Sequence, residues 1–192
     1  MITIKVQGKD LTLPTSWNEI NMETIVPIMD LQKKYEDGYE IEYYLMELFA
    51  ILTNTDVDFF YDSYITDEEV QLIGNSLTEF MEPISFTKAD CFKIDGKLYS
   101  YNNFNKLTYG EDISYKLLNK NSKSDFESWL NLLSILIRPA TETTDEFGEV
   151  KYVLDKFDGD VDILNKRKEL IKKIPAVNGL YIVQSFTNGK NQ

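Results

Sequence analysis

One helix-start pattern occurs five times in this chain, and it limits the possible folds more than any other feature of the sequence. In each copy a Ser or Thr precedes a Glu by three residues. The hydroxyl can accept a hydrogen bond from a first-turn N–H, and the carboxylate can accept one from the N–H of the capping residue. Each copy stands before an apolar stretch with helical spacing, so we predict a mainly helical protein. The five pairs are Ser16 with Glu19, Thr66 with Glu69, Ser76 with Glu79, Thr108 with Glu111, and Ser124 with Glu127.

Apolar periodicity predicts where the helices run. The segment 125–137 is apolar on nearly every side, which is typical of a helix buried at the centre of a core. Pro139 is expected to end that helix at Arg138, and Pro27 is expected to kink the first helix. The predicted helices are 21–36, 40–52, 67–80, 111–118, 125–137, 161–173 and 176–186, with a short acidic turn at 56–63.

Two segments alternate apolar and polar residues, as half-buried strands do. Residues 1–14 alternate on both sides of a turn at 7–10, which predicts an N-terminal β-hairpin. Residues 92–101 alternate around Asp95-Gly96, a preferred pair for a two-residue turn in which both positions need positive φ. The segment 140–152 is polar and contains Gly148, so we predict an exposed loop there, with a small hairpin at 147–153 as the alternative.

The predicted fold is therefore α+β and mainly α. It has a helical core with a central buried helix, an N-terminal β-hairpin and a small mid-chain β-hairpin. A chain of 192 residues is long enough for one domain with a sizeable core. We predict a single domain over 1–187, with hairpins at 1–14 and 92–101, helical parts at 16–90 and 108–187, and a tail at 188–192.

The composition argues against several classes of function. Twenty basic and 32 acidic residues give a net charge of −12, which disfavours binding to nucleic acid and to anionic membranes. The chain has no histidine, so it lacks the commonest general base and the commonest zinc ligand. Cys91 has neither a disulfide partner nor a histidine to activate it, which indicates a small core residue in a reducing cytosol.

These observations predict a protein that is not an enzyme. We predict no catalytic residue, no cofactor-binding residue, no metal ligand and no cofactor. An enzyme that works with carboxylates alone remains as an alternative, but 32 acidic residues make chance pairs certain and single out none of them.

One acidic stretch has the spacing of a calcium site. Within "DGDVDILNKRKE", residues 158–169, acidic side chains stand at positions 1, 3, 5 and 12 of an EF-hand frame. Ile163 occupies the position that requires glycine, and Lys166 places a cation where a ligand should stand. We therefore predict that Asp160 or Asp162 caps a helix whose basic residues fall toward its C-terminal end.

Two aromatic-rich stretches allow two interpretations each. The segment 54–69 mixes acidic residues with Phe59, Phe60, Tyr61 and Tyr64, and it is either a turn with its rings in the core or a protein-binding patch. The segment 179–186, "GLYIVQSF", is either core or a docking segment.

The order of motifs along the chain resembles a divergent set of tailed-bacteriophage proteins, common in crAss-like and other Bacteroidetes-infecting phages. In the last helix the chain departs from that set, with Tyr181 and a single Phe186 in place of paired phenylalanines. The motifs that carry the resemblance are "SWNEI" at 16–20, "FKIDGKLYSYNNFNKLTYGEDISYKLL" at 92–118, "LLSILIRP" at 132–139, "VKYV" at 150–153 and "VNGLYIVQSF" at 177–186.

This resemblance implies a non-enzymatic structural protein of a bacteriophage particle, a subunit of a ring in the head–tail connector or tail. The alternative is a tail assembly chaperone that is absent from the mature particle. The implied partners are copies of the chain itself in a ring and neighbouring connector or tail proteins. No direct nucleic-acid recognition and no membrane contact are expected. The implied location is the virion, after synthesis in the cytoplasm of the bacterial host.

Overall fold

A computed structural model describes residues 1–61, 64–101 and 107–189, with side chains through residue 187. The chain forms two compact units. The first unit is Met1–Ser85 with Pro175–Val177, and the second unit is Phe86–Ile174 with Asn178–Gln192. The elements are mostly helices with a few strands, which confirms the α+β, mainly α fold class. A single domain over 1–187 stays a prediction.

The first unit begins with the predicted hairpin. Strands β1 (Ile2–Val6) and β2 (Lys9–Leu13) pair antiparallel, so the predicted turn at 7–10 shortens to two residues. Those two residues, Gln7 and Gly8, both have positive φ (51° and 75°), as a tight hairpin turn of this type requires. One face of the hairpin is buried, and its buried residues are Ile4, Val6, Leu11 and Leu13.

Helices make up the rest of the first unit. They are α1 (Met22–Glu36), α2 (Ile41–Thr53), α3 (Asp58–Tyr61), α4 (Asp67–Ser76) and α5 (Thr78–Met81). Helix α1 starts at a cap from Asn21 and contains Pro27, and it packs against α2. The prediction of a single helix over 67–80 is wrong, because this segment forms two helices, α4 and α5, with a break between them. The Ser76 hydroxyl donates back to the Leu72 carbonyl, a bond that favours a bend at this point.

The second unit contains a four-stranded antiparallel sheet in the order β3-β4-β5-β6. Strands β3 (Cys91–Ile94) and β4 (Lys97–Tyr101) form the predicted hairpin, and Asp95 and Gly96 have φ of 48° and 78°. Strands β5 (Ile137–Thr144) and β6 (Val150–Leu154) form a further hairpin. The exposed loop predicted over 140–152 is therefore wrong, and the alternative of a hairpin there is confirmed in a longer form.

Helix α7 (Asp125–Leu136) lies at the centre of the second unit. All seven residues from Leu130 to Leu136 are buried, and the helix packs against α6 (Tyr109–Asn119), α8 (Val161–Ile171) and β5. The predicted central buried helix is confirmed, but it ends at Leu136, so the predicted end at Arg138 is wrong. It passes directly into β5, because Ile137 and Arg138 pair with strand β4.

The chain closes with α9 (Ala176–Gly189), which begins at the predicted position. Backbone residues 188 and 189 of the predicted tail are helical, and 190–192 lie outside the described residues. The predicted acidic turn at 56–63 becomes α3, and its residues 62 and 63 also lie outside the described residues.

The five predicted helix starts have three outcomes. The capping boxes at Thr66 and Thr108 are complete. The box at Ser124 is partial: the Ser124 hydroxyl accepts from the Glu127 N–H, but the Glu127 carboxylate accepts from the N–H of Lys123, the residue before the cap. Ser16 starts only a 3-10 turn and makes no side-chain cap, and Ser76 lies inside α4. Those two predictions are wrong.

Candidate functional site

The acidic stretch at the start of α8 is a helix cap. Asp160 Oδ1 accepts hydrogen bonds from the N–H groups of Asp162 (2.8 Å) and Ile163 (3.4 Å). Asp158 Oδ1 accepts from the N–H of Asp160 at 3.0 Å, which orients the cap itself. The interpretation of this stretch as a capped helix is confirmed. Within the described residues, no group of three or more Cys, Asp or Glu side chains is placed to hold a metal ion.

One basic residue of α8 lies in the core rather than in solvent. Arg167 is 7% exposed, and its Nη1 donates to the Ser134 carbonyl of α7 at 2.8 Å. Burial, and then the positive charge of Arg138, lower the pKa of Arg167, while the phenol of Tyr99 and the carboxylates of Asp158 and Asp155 act in the opposite direction. The sequence predicted only that the basic residues fall toward the C-terminal end of α8, and it gave no sign that Arg167 is buried.

A second buried arginine faces a buried carboxylate. Arg138 Nη2 of β5 lies 3.3 Å from Glu111 Oε1 of α6, and the two side chains are 9% and 0% exposed. Glu111 Oε2 also accepts from the Thr108 N–H at 2.7 Å, so the same carboxylate completes the cap of α6. We name Glu111, Arg138 and Arg167 the buried charge cluster. It connects α6 with β5 through Glu111 and Arg138, and α8 with α7 through Arg167.

The hairpin of β5 and β6 is the most exposed part of the sheet. We name residues 140–154 the β arm. Residues 141–144 of β5 are all exposed, which shows that neither face of this part of the strand is covered. Its apolar side chains face solvent as well: Phe147 is 83% exposed, Val150 52% and Val153 57%. Exposed apolar side chains grouped on one hairpin are typical of a surface that meets another protein.

Strand β6 forms an open edge of this arm. The N–H of Asp145 donates to the Glu149 carbonyl, and the N–H of Asp155 donates to the Pro139 carbonyl. Hydrogen-bonded pairs alternate along an antiparallel ladder, so the odd-numbered residues of β6 point their backbone groups toward β5. The even-numbered residues of β6 consequently point their N–H and C=O groups away from β5. Those residues are Val150, Tyr152 and Leu154, and β6 pairs with no strand other than β5 in the part of the chain that the structure describes.

Asp145 fixes the turn of the β arm. Its Oδ1 accepts from the N–H groups of Phe147 (2.9 Å) and Glu149 (3.0 Å), and its Oδ2 lies 2.6 Å from Lys151 Nζ. The hydrogen bond from Lys151, followed by the backbone hydrogen bonds, lowers the pKa of Asp145. The turn is therefore built on the ionised carboxylate.

We expect the turn of the β arm to loosen only in strong acid. A depressed folded-state pKa means that the stabilisation is present above the unfolded pKa and is lost as pH falls through the folded value. The amide signals of Phe147 and Glu149, followed by NMR as pH is lowered, should titrate together with a midpoint below the ordinary 3.8 of aspartate. A midpoint at or above 3.8 would contradict this arrangement.

A cleft of about 680 Å³ lies between the β arm and the rest of the second unit. Three phenols line it, those of Tyr101, Tyr152 and Tyr181. The pKa of Tyr152 is raised to about 12, mainly by a hydrogen bond with the Cys91 thiol. The pKa of Tyr101 is also raised to about 12, mainly by burial. Both phenols stay protonated at neutral pH, so they can donate hydrogen bonds but cannot act as bases.

The two aromatic-rich stretches have different outcomes. In 54–69, Phe60 is buried, whereas Tyr61 and Tyr64 are 45% and 93% exposed, so the stretch contributes both to the core and to the surface. The segment 179–186 is core, because its largest apolar side chains are buried, and these are Leu180, Ile182, Val183 and Phe186. Cys91 is half-buried and has no disulfide.

No protein-family model, no curated protein and no solved structure matches this chain. Among the described helices, none is both long enough and apolar enough to cross a membrane. The function of the chain is therefore inferred from the surfaces described above and from the order of its sequence motifs.

Proposed function

We propose that this protein is a non-enzymatic structural subunit of a bacteriophage particle, and that it assembles with copies of itself into a ring of the head–tail connector or tail. The order of sequence motifs supports the phage assignment. The β arm is the observation that carries the assembly role.

The β arm has the two features that strand addition requires. The open edge of β6 presents the backbone groups of Val150, Tyr152 and Leu154, and a strand from a neighbouring molecule would satisfy them. Exposed apolar side chains beside that edge, above all Val153, would be buried in the same step. A ring requires each copy to meet the next through two different surfaces, so the arm of one subunit would dock on another part of its neighbour.

We expect the purified chain to form species larger than its 22.3 kDa monomer. The variant Val153→Lys should shift this population toward monomer, because it places a charge where an apolar contact forms. Leu117→Lys is the matched control, since Leu117 is 64% exposed on α6, a helix of the same unit that is not part of the arm. Native mass spectrometry measures both. A monomer at every concentration, or equal behaviour of the two variants, contradicts the arm as the assembly surface.

The second candidate is a tail assembly chaperone that is absent from the mature particle. The first unit favours it, because residues 1–85 contain 17 acidic and four basic residues and could bind a basic partner transiently. Mass spectrometry of purified particles separates the two functions. A ring subunit should be present at a stoichiometric copy number, and its absence from particles would favour the chaperone.

A further inference from the structure

The net negative charge of this protein comes from its first unit. Residues 1–85 contain four basic and 17 acidic residues, a net charge of −13, whereas residues 86–192 contain 16 basic and 15 acidic residues, a net charge of +1. Residues 175–177, which also belong to the first unit, are uncharged. The first unit is therefore the part of the molecule that attracts cations.

The first unit also carries a group of tyrosines whose rings contact other tyrosine rings in tilted and edge-on arrangements. We name Tyr35, Tyr39, Tyr43 and Tyr61 the tyrosine cluster. The ring of Tyr43 lies 5.9 Å from the ring of Tyr39 and 5.9 Å from the ring of Tyr61, measured between centroids. Tyr35 packs at 4.9 Å on Tyr44, which is itself buried in the core. The cluster is thus fixed to the end of α1, the start of α2 and the end of α3.

The tyrosine cluster is open to solvent. Tyr35, Tyr43 and Tyr61 are 41%, 46% and 45% exposed, although each contacts another ring. A rigid ring that is half exposed provides a large contact area at little further cost in side-chain entropy, which is why tyrosine is common at protein interfaces. Exposed carboxylates flank the cluster along the chain, and they are Glu36, Asp37, Glu40, Glu42 and Asp58.

Lys34 of the chain itself contacts both a carboxylate and an aromatic ring of this surface. Lys34 Nζ lies 3.2 Å from Glu47 Oε2 and 5.9 Å from the centroid of the Tyr39 ring. Glu47 also accepts a hydrogen bond from the Tyr39 hydroxyl at 2.6 Å, so the carboxylate and the ring are held together. Lys34 therefore shows how a cation is held on this surface by an aromatic face and a carboxylate together.

We propose that the tyrosine cluster is a docking surface for an arginine-rich segment of a different protein. Arginine combines a permanent charge with a planar group that stacks on aromatic rings, so it matches a surface of tyrosines and carboxylates better than lysine does. A second copy of this chain does not fit. Its only arginines, Arg138 and Arg167, are buried, and it would bring a further net charge of −12. This inference goes beyond the proposed ring and does not depend on it.

The test is binding of two synthetic peptides to the full chain, measured by isothermal titration calorimetry. One peptide alternates arginine with serine, and the other alternates lysine with serine at equal length and charge. We expect the arginine peptide to bind more tightly. Tyr43→Ala should weaken its binding about tenfold, whereas Tyr43→Phe, which keeps the ring, should retain it. Tyr109→Ala is the matched control, because Tyr109 is 83% exposed but lies on α6 of the second unit.

Several results would overturn the proposal. Equal binding of the two peptides, or equal affinity of the Tyr43→Ala and Tyr109→Ala variants, would show attraction by net charge alone. Self-association of the chain that Tyr43→Ala abolishes would assign the surface to a second copy. Thermal unfolding of each variant shows whether the fold is retained, and Tyr43→Phe keeps the test valid if the alanine variant is destabilised. The Val153→Lys variant tests the ring separately.

Discussion

Replacing Glu111 with glutamine is expected to destabilise the protein by about 3–5 kcal/mol, the usual cost of removing one partner from a buried ion pair. The glutamine carbonyl can still accept from the Thr108 N–H, so the cap of α6 is retained. What is lost is the negative charge beside Arg138, which is 9% exposed and lies 3.3 Å from the carboxylate. Arg138 and Arg167 would then be two buried cations without an opposing carboxylate in the cluster.

The chain offers a matched control for this experiment. Glu69 completes the same kind of capping box with Thr66 at the start of α4, but there the box is exposed and no arginine faces it. Glu69→Gln should therefore have a much smaller effect than Glu111→Gln. Chemical denaturation of the full chain measures both. Equal losses of stability in the two variants would show that Glu111 acts only as a cap. If the ion pair is responsible, adding Arg138→Met to the Glu111→Gln variant should recover part of the lost stability.

Local interactions explain which parts of the fold could be predicted from sequence. The Asp95-Gly96 turn and the Asp160 cap depend on residues within three positions of each other, and both have the predicted form. The start of β5 depends on a distant partner instead. Ile137–Pro139 is strand because it pairs with β4, which lies about 40 residues earlier, and the apolar helix before it gives no sign of that pairing.

The candidate surfaces also differ in whether the sequence alone could have predicted them. The tyrosine cluster left a signal that sequence analysis missed, since Tyr35, Tyr39 and Tyr43 follow one another at intervals of four residues and acidic residues lie among them. The uneven division of charge could also have been counted from the sequence. The buried charge cluster could not have been found in this way, because its three residues come from α6, β5 and α8 and only the packing of the second unit brings them together.

Replacing Arg167 with alanine is the second change expected to have a large effect on stability. Helix α7 ends at Leu136, so the Ser134 carbonyl has no partner within the helix, and Arg167 Nη1 donates to it at 2.8 Å. The guanidinium also places a positive charge at the negative end of the α7 dipole. Its loss leaves a buried carbonyl unpaired, at a cost of about 1–3 kcal/mol.

The removal of packing around the aliphatic part of Arg167 adds to that cost. Lys168→Ala, at the next position of α8, is the control, because Lys168 is more exposed and makes no hydrogen bond to α7 within the described residues. Chemical denaturation should show a clear loss for Arg167→Ala and little change for Lys168→Ala. If the lysine variant loses as much, α8 is stabilised by its overall positive charge. If only the arginine variant loses stability, Arg167 is the residue of α8 that caps the C-terminal end of the central helix.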